Sequence, residues 1–441
     1  MIKVLKFGGT SVGSAKNMKM VANIVTAEKA TVTVLSAMSG TTDSLVRISA
    51  LSVQEGKSAE IAETIQMLRD KYSTCIAELL DSHKAEATAK MESVLELIAK
   101  ESADFKEYTS ERLILSQGEL LTSAIFSMYM QEAGYKTVLL NAPDFMHTDE
   151  EQKVDTTFLE ANVKNLVNDK DTFYITQGFI CTNYRGEIDN LGRGGSDYSA
   201  ALIGGALNAD EVQVWTDIDG MHNNDPRVVE GTYPIRKMSF DEAAELAYFG
   251  AKILHPATIQ PCKDKGIPVF LKNTMDPAAE GTKISSEDDN SRTFHAVAAK
   301  DGITVIRIYS TRMLMAYGFL RKVFEVFEKY RTPIDMITTA EVSVSLTVDN
   351  TKHLEEIEEE LKAFGKIEVE QNNTIVCLVG NLEHSQKGLA ATIMNSIQNI
   401  PLKMISYGAS HRSIAMLVET QYKKEIMQSM NDKLFGENNH A

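Results

Sequence analysis

The chain opens by running the same short pattern twice, and no other stretch constrains its fold more. Ile2-Lys3-Val4-Leu5-Lys6-Phe7 is an apolar-rich strand ending in Gly8-Gly9-Thr10-Ser11. A helix follows, with Met18, Ala22 and Val25 on one face. Thr31 to Leu35 is a second strand, and it runs into Ser36-Ala37-Met38-Ser39-Gly40-Thr41-Thr42, a polar turn before another helix. Strand, turn, helix in immediate repetition predicts an α/β sheet with ligands at the carboxyl ends of its strands.

A turn of the same construction recurs at Gly192-Arg193-Gly194-Gly195-Ser196-Asp197, between a strand-like run, Thr172–Thr176, and a helical one, Tyr198–Leu207. Glycines let a backbone approach closely, and N–H groups at a helix start can meet an anion. Arg193 adds a fork suited to a carboxylate or phosphate, and Asp197 is able to hold a lysine, for which Lys6 is the candidate. Alone, either Gly cluster reads as a tight turn; together they suggest phosphate chemistry, which needs charge neutralised on the moving group. Neither G-x-x-x-x-G-K-[ST] nor G-x-G-x-x-G is met, which sets aside P-loop and dinucleotide-type sites.

Other polar positions stand at strand ends or helix starts. Asp217 and Arg227 flank a long polar loop after the strand Glu211–Thr216, and Lys252 follows Phe249-Gly250-Ala251. Singly each reads as a surface charge. Glu119 after Gly118 could bind an ammonium group, or serve as a carboxylate at a helix N-terminus. The nine histidines show no H-E-x-x-H spacing and the four cysteines no C-x-x-C, so no protein-built metal site is expected.

At 441 residues, with 43% hydrophobic and 24% charged content, the chain should form two or three soluble domains. A net charge of −16 argues against nucleic acid and anionic membrane partners. An anionic ligand must then be held by a local pocket. With no signal-peptide pattern and no apolar run of spanning length, the expected compartment is the cytoplasm.

Between Lys57 and Gln117 there is neither glycine nor proline. Ile61, Ile65, Leu68, Tyr72, Cys75, Ile76 and Leu79 recur at helical spacing, as do Met91, Leu95 and Ile98. This reads as a helical insertion packing on itself, without chemistry, until Ser116-Gln117-Gly118-Glu119 opens another helix. Lys136–Asn141 is a further strand and Phe240–Leu246 a further helix. Asp276 to Arg292 lacks periodicity and reads as a linker. Beyond it the sequence repeats: Thr304-Val305-Ile306-Arg307-Ile308 matches Thr374-Ile375-Val376-Cys377-Leu378, and Gly318-Phe319-Leu320 matches Gly388-Leu389-Ala390. Each copy reads as a βαββα unit, and two can bury their exposed sheets against one another.

Taken in order, Lys6-Phe7-Gly8-Gly9-Thr10-Ser11-Val12, Gly118-Glu119, Leu191 to Asp197, Trp215-Thr216-Asp217, Asp225-Pro226-Arg227 and Phe249 to Pro256 closely resemble the aspartokinases. The resemblance implies an α/β amino-acid kinase sheet of the carbamate-kinase type, sandwiched by helices, over residues 1–290, with the helical insertion at about 57–117. Two α+β ACT domains of βαββα form would follow at 300–370 and 371–441, the C-terminal segment being able to return to the first. Gly318-Phe319-Leu320 and Ile337 to Ser343 look most like the lysine-responsive subgroup. The implied substrates are L-aspartate and ATP with Mg2+. Lys6 and Asp197 would be catalytic. Ser36, Thr42, Glu119, Arg193 and Ser196 would hold aspartate. Lys6, Phe7, Gly8, Gly9, Ser11, Thr216, Asp217, His222, Arg227, Lys252 and Ile253 would hold the nucleotide. His222 stands where the family commonly has tyrosine, which implies a pH-sensitive nucleotide affinity. An effector, L-lysine first and L-threonine second, would meet Met313, Ala316, Phe319, Leu320, Asp335 and Ser343. A homodimer or dimer of dimers through the ACT domains is expected. Other kinases of the superfamily, or a sensor with an idle kinase fold, are the rival readings.

Overall fold

The computed structural model describes residues 1–192, 194–250, 256–289, 291–313, 317–383 and 385–435. They fall into two compact units, the first formed by Met1–Met221, Arg236–Phe240 and Leu254–Asp288, the second by His222–Ile235, Asp241–Ile253 and Asp289–Ala441.

The first unit starts β1 (Lys3–Phe7), α1 (Ala15–Ala27), β2 (Val32–Leu35) and α2 (Thr41–Ser52). Three long helices follow: α3 (Ser58–Leu79), α4 (Lys84–Ala103) and α5 (Thr109–Glu132). Next come β3 (Thr137–Leu139), α6 (Thr156–Leu166), β4 (Phe173–Gln177), the hairpin β5 (Ile180–Thr182) and β6 (Ile188–Asn190), α7 (Gly195–Leu207) and β7 (Glu211–Thr216). The unit is completed by β8 (Lys237–Ser239), α9 (Pro256–Lys265), β9 (Val269–Asn273) and β10 (Thr282–Ser285), while α8 (Phe240–Tyr248) leaves it for the second unit.

Eight strands form one sheet in the order β3-β4-β2-β1-β7-β9-β10-β8. Its centre is parallel: Lys6 of β1 lies opposite Val34 of β2 and Val214 of β7. Central parallel strands are covered on both faces, so Val4, Leu5, Phe7, Val34, Leu35, Val212 and Val214 are buried. Parallel pairing also brings the carboxyl ends of β1, β2, β4 and β7 to one edge, where the polar turns begin.

Three expectations change here. The arm α3–α4 does not pack on itself alone: Ile65, Leu68, Tyr72, Cys75 and Ile76 share one core with Met18, Val25 and Ile48. Glu119 does not open a helix but lies inside α5, where Gly118 is needed because a Cβ there would meet that of Ala37 at 2.7 Å. The Asp276–Arg292 stretch is not all linker. It contains β10, whose Thr282 and Ile284 are fully buried; four residues were too few to show a period.

In the second unit come β11 (Phe294–Tyr309), α10 (Phe319–Lys329), β12 (Ile337–Ala340), β13 (Ser343–Val348) and α11 (Leu354–Leu361). The second copy supplies β14 (Lys366–Gly380), α12 (Leu389–Ser396), β15 (Met404–Ser406), β16 (Ser413–Glu419) and α13 (Lys423–Leu434). The copies join edge to edge in one sheet, β12-β13-β11-β14-β16-β15, because β11 and β14 are long enough to serve both. One core holds Ile306, Ile308, Val323, Phe327, Val344 and Leu346. The other holds Val376, Leu378, Ile393, Met416, Ile426 and Met430, with Val297 from the leading half of β11. α13 packs on the second copy's core, and its Lys423 Nζ meets Asp301 Oδ2 of β11 at 2.6 Å. Among the described residues no helix is long and apolar enough to cross a membrane.

Candidate active site

Lys6 and Asp197, far apart in sequence, meet at the carboxyl edge of the first sheet. Lys6 Nζ lies 2.7 Å from Asp197 Oδ1, with side chains only 11% and 15% exposed. Among the described residues Oδ1 receives no well-aligned hydrogen bond, so its contact with Lys6 is charge on charge. Asp197 stands in the first turn of α7, where the helix dipole favours a carboxylate.

The turns around this pair are stitched strand to strand. Ser36 N–H donates to Phe7 O at 3.2 Å, Gly178 N–H to Leu35 O at 2.9 Å, and Ser39 N–H to Gly9 O at 3.0 Å. At Gly9 a Cβ would stand 2.8 Å from the Ala37 carbonyl oxygen, so glycine is required for this approach. At Gly178 it would stand 2.5 Å from the Ser196 Cβ, which presses the start of α7 against the end of β4. At the end of β7, Thr216 Oγ1 donates to Asp217 Oδ1 at 3.1 Å.

Glu119 is 4% exposed. Its Oε1 accepts the Ala37 N–H at 3.2 Å, whereas the buried Oε2 has no partner among the described residues. Loss of hydration pushes its carboxyl up to about 7, only partly offset by the Ala37 amide. A buried half-satisfied carboxylate suits a cation arriving from outside.

Several candidate residues are placed differently from their sequence reading. Ser11 is fully buried; its hydroxyl meets Thr274 Oγ1 at 2.7 Å and Trp215 O at 3.4 Å, contacts that brace the strand ends. The Phe7 ring stacks on Trp215 in the core, with centroids 5.8 Å apart. Gly8 N–H donates to Trp215 O at 3.2 Å and is therefore already committed. Thr42 is exposed on α2, while its neighbour Thr41 is the buried threonine.

In the second unit, Arg227 is forked onto Asp225 at 2.8 Å and is 80% exposed, and His222 Nδ1 lies 3.4 Å from Thr232 Oγ1. Met313, Phe319 and Leu320 pack on the first copy's core, and Ser343 lies opposite Tyr309 and Ala340. Asp335 is not an open anion: its Oδ1 takes Lys300 Nζ at 2.7 Å and Tyr248 OH at 2.8 Å. Its Oδ2 is buried with no partner among the described residues. Arg193, Lys252, Ile253 and Ala316 lie outside the described residues. Within those residues no group of three or more His, Cys, Asp or Glu gathers as a metal cage.

Sequence reasoning missed the Ala37 amide, Thr122 and Tyr72, which hold the turn after β2. Tyr72 sits in phase with an apolar stripe, where an aromatic reads as core, so periodicity carried no sign of its hydroxyl.

The first unit has the fold of the amino acid kinase family, whose model matches residues 1–273; an ACT domain model matches 376–434. The lysine-sensitive aspartokinase 3 of Escherichia coli K12 is 33% identical over 98% of this chain and 99% of its own length. Chloroplastic aspartokinase 2 of Arabidopsis thaliana is 34% identical, over 98% of this chain and 84% of that protein. Among solved structures, E. coli aspartokinase III with aspartate and ADP (R-state) superposes at TM-score 0.87, with 32% identity over 99% of this chain and 100% of that one. The same enzyme with lysine and aspartate (T-state) gives 0.81, at 32% identity and the same coverage. The chain belongs to the aspartokinases.

Proposed function

We propose that this chain transfers the γ-phosphoryl group of ATP to the side-chain carboxylate of L-aspartate, giving ADP and 4-phospho-L-aspartate, the first step toward lysine, threonine and methionine. The observation that carries the reading is the Lys6–Asp197 pair at the carboxyl edge of a parallel sheet. A carboxylate nucleophile is ionised at neutral pH, so no general base is required. Catalysis then rests on alignment and on charge stabilisation of the moving group. Lys6 supplies the cation and Asp197 orients it. Glu119 Oε2 takes the aspartate ammonium, Arg193 its α-carboxylate, and Ser36, Thr42 and Ser196 supply hydroxyls. Thr216 and Asp217 serve adenine and ribose, with His222, Arg227, Lys252 and Ile253 toward the rest of the nucleotide. Mg2+ enters as part of the substrate, on the ATP phosphates and water, since it dehydrates reluctantly.

For regulation, Asp335 Oδ2 is the anion left for an effector's amino group, and L-lysine is the first choice. The lysine-bound relative supports that choice. Assembly as a homodimer or dimer of dimers through the ACT units is supported by the edge strand β12, which exposes Ile337, Thr339 and Ala340. Four free cysteines, all buried, fit a reducing compartment such as the cytoplasm.

The test is coupled ADP release with hydroxylamine present. One aspartyl hydroxamate per ADP is expected with aspartate, and none with glutamate, carbamate or UMP. ADP release without hydroxamate, or no turnover, would overturn the reading in favour of another kinase or an idle sensor.

A further inference from the structure

The buried hydroxyl of Tyr72 has no packing reason to exist. At its place on α3 a phenylalanine would fill the same apolar stripe, and a buried hydroxyl must find partners or cost stability. Its partners are two threonines at the substrate turn: Tyr72 OH lies 3.2 Å from Thr122 Oγ1 and 3.1 Å from Thr41 Oγ1. All three residues are buried. Thr122 in turn accepts the Met38 N–H at 3.1 Å, next to the Ala37 N–H that Glu119 takes. Glu119 and Thr122 are three apart on α5 and so share a face. Consecutive amides of the turn are thus held by α5, and one phenol from the arm ties the same turn's far end, Thr41, to that anchor. Lys71, beside Tyr72, adds an ammonium on the Ser39 carbonyl.

We propose that the helical arm is a positioning element of the aspartate site, with Tyr72 as the positioning residue acting through Thr122 and Thr41 on the turn that Glu119 grips. This rests on the reading of Glu119 as the ammonium ligand. A turn that drifts would carry the Ala37 amide, and with it the aim of Glu119, while Lys6 stays on β1, Thr216 at the end of β7 and Asp217 just after it. The phenol is kept neutral by burial, with its ionisation pushed up to about 12, so the link holds through the physiological range.

Steady-state kinetics with both substrates varied separate positioning from mere packing. Tyr72→Phe is expected to raise the aspartate KM about five- to tenfold and leave the ATP KM within about twofold, the size of one or two lost hydrogen bonds. Thr122→Val should do the same, and Thr122→Ser, which keeps the hydroxyl, should stay within about twofold of wild type. An aspartate KM unmoved in Tyr72→Phe and Thr122→Val, or one that rises together with the ATP KM, would overturn the proposal. Glu119→Gln is measured alongside. If it alone raises the aspartate KM, the arm's role falls and the site stands; if it too leaves that KM unmoved, the underlying assignment has failed.

Discussion

Glu119 is a carboxylate largely withdrawn from water, and its protonation should be legible in substrate affinity. Its pKa, about 7 against an ordinary 4.5, means that the unliganded site is partly protonated at neutrality. An ammonium ligand requires the ionised form. Aspartate affinity should therefore rise with pH and fall about tenfold between pH 8 and pH 6, by linkage to a group near 7. Stability runs the other way. The folded state binds more protons than the unfolded one between about 4.5 and about 7, so Glu119 makes the unliganded protein less stable as pH rises through that window. Calorimetric titration of aspartate at several pH values checks the first point, and a pH-independent affinity would contradict it. Ser11 gives the opposite kind of expectation. With its hydroxyl spent on Thr274 and Trp215, Ser11→Ala should cost about 1–3 kcal/mol of stability. Its ATP KM should stay within about twofold; a large rise would restore Ser11 to the nucleotide. Residue type beside a strand end was enough to single out Lys6 and Asp197, but type does not show which way a side chain turns. Ser11 and Phe7 read alike from their motif and both face the core.

Elements carry the next level of constraint, since the site is built where turns approach within contact distance. Gly9→Ala would put a methyl 2.8 Å from a carbonyl oxygen of the neighbouring turn, and backbone cannot yield as a flexible side chain can. It should cost about 1–3 kcal/mol in a denaturant melt and raise the aspartate KM; an unchanged melt would contradict the close approach. The parallel strands and the helices on them were legible because apolar runs and polar turns alternate sharply. The arm was legible as helix but not as part of the site, because its contribution is one hydroxyl on an apolar stripe. β10 was hidden for another reason: a short strand at the sheet's antiparallel end needs only Thr282 and Ile284 inward.

On the scale of the whole molecule, the internal repeat announced two βαββα units, yet not how they join. β11 and β14 run through both copies, and a match between copies cannot reveal a shared strand. The carboxylate read as waiting for an amino group, Asp335, already holds Lys300 and Tyr248. If Asp335 meets an effector as proposed, binding would take Oδ2 or displace these partners. Titration of activity with single amino acids is expected to show inhibition by L-lysine. Asp335→Asn should raise the half-inhibiting concentration at least about tenfold, about 1.4 kcal/mol or more, as for a charged hydrogen bond. An unshifted lysine curve would remove Asp335 from the effector site. On the proposed mechanism, catalysis depends on β1 and the first turn of α7 meeting through Lys6 and Asp197. The most direct measurement is kcat for Lys6→Ala beside its ATP dissociation constant. A fall in kcat of at least about a hundredfold, with ATP binding changed only a few fold, is expected if the ammonium acts mainly in the transition state. A kcat within a few fold of wild type would contradict it.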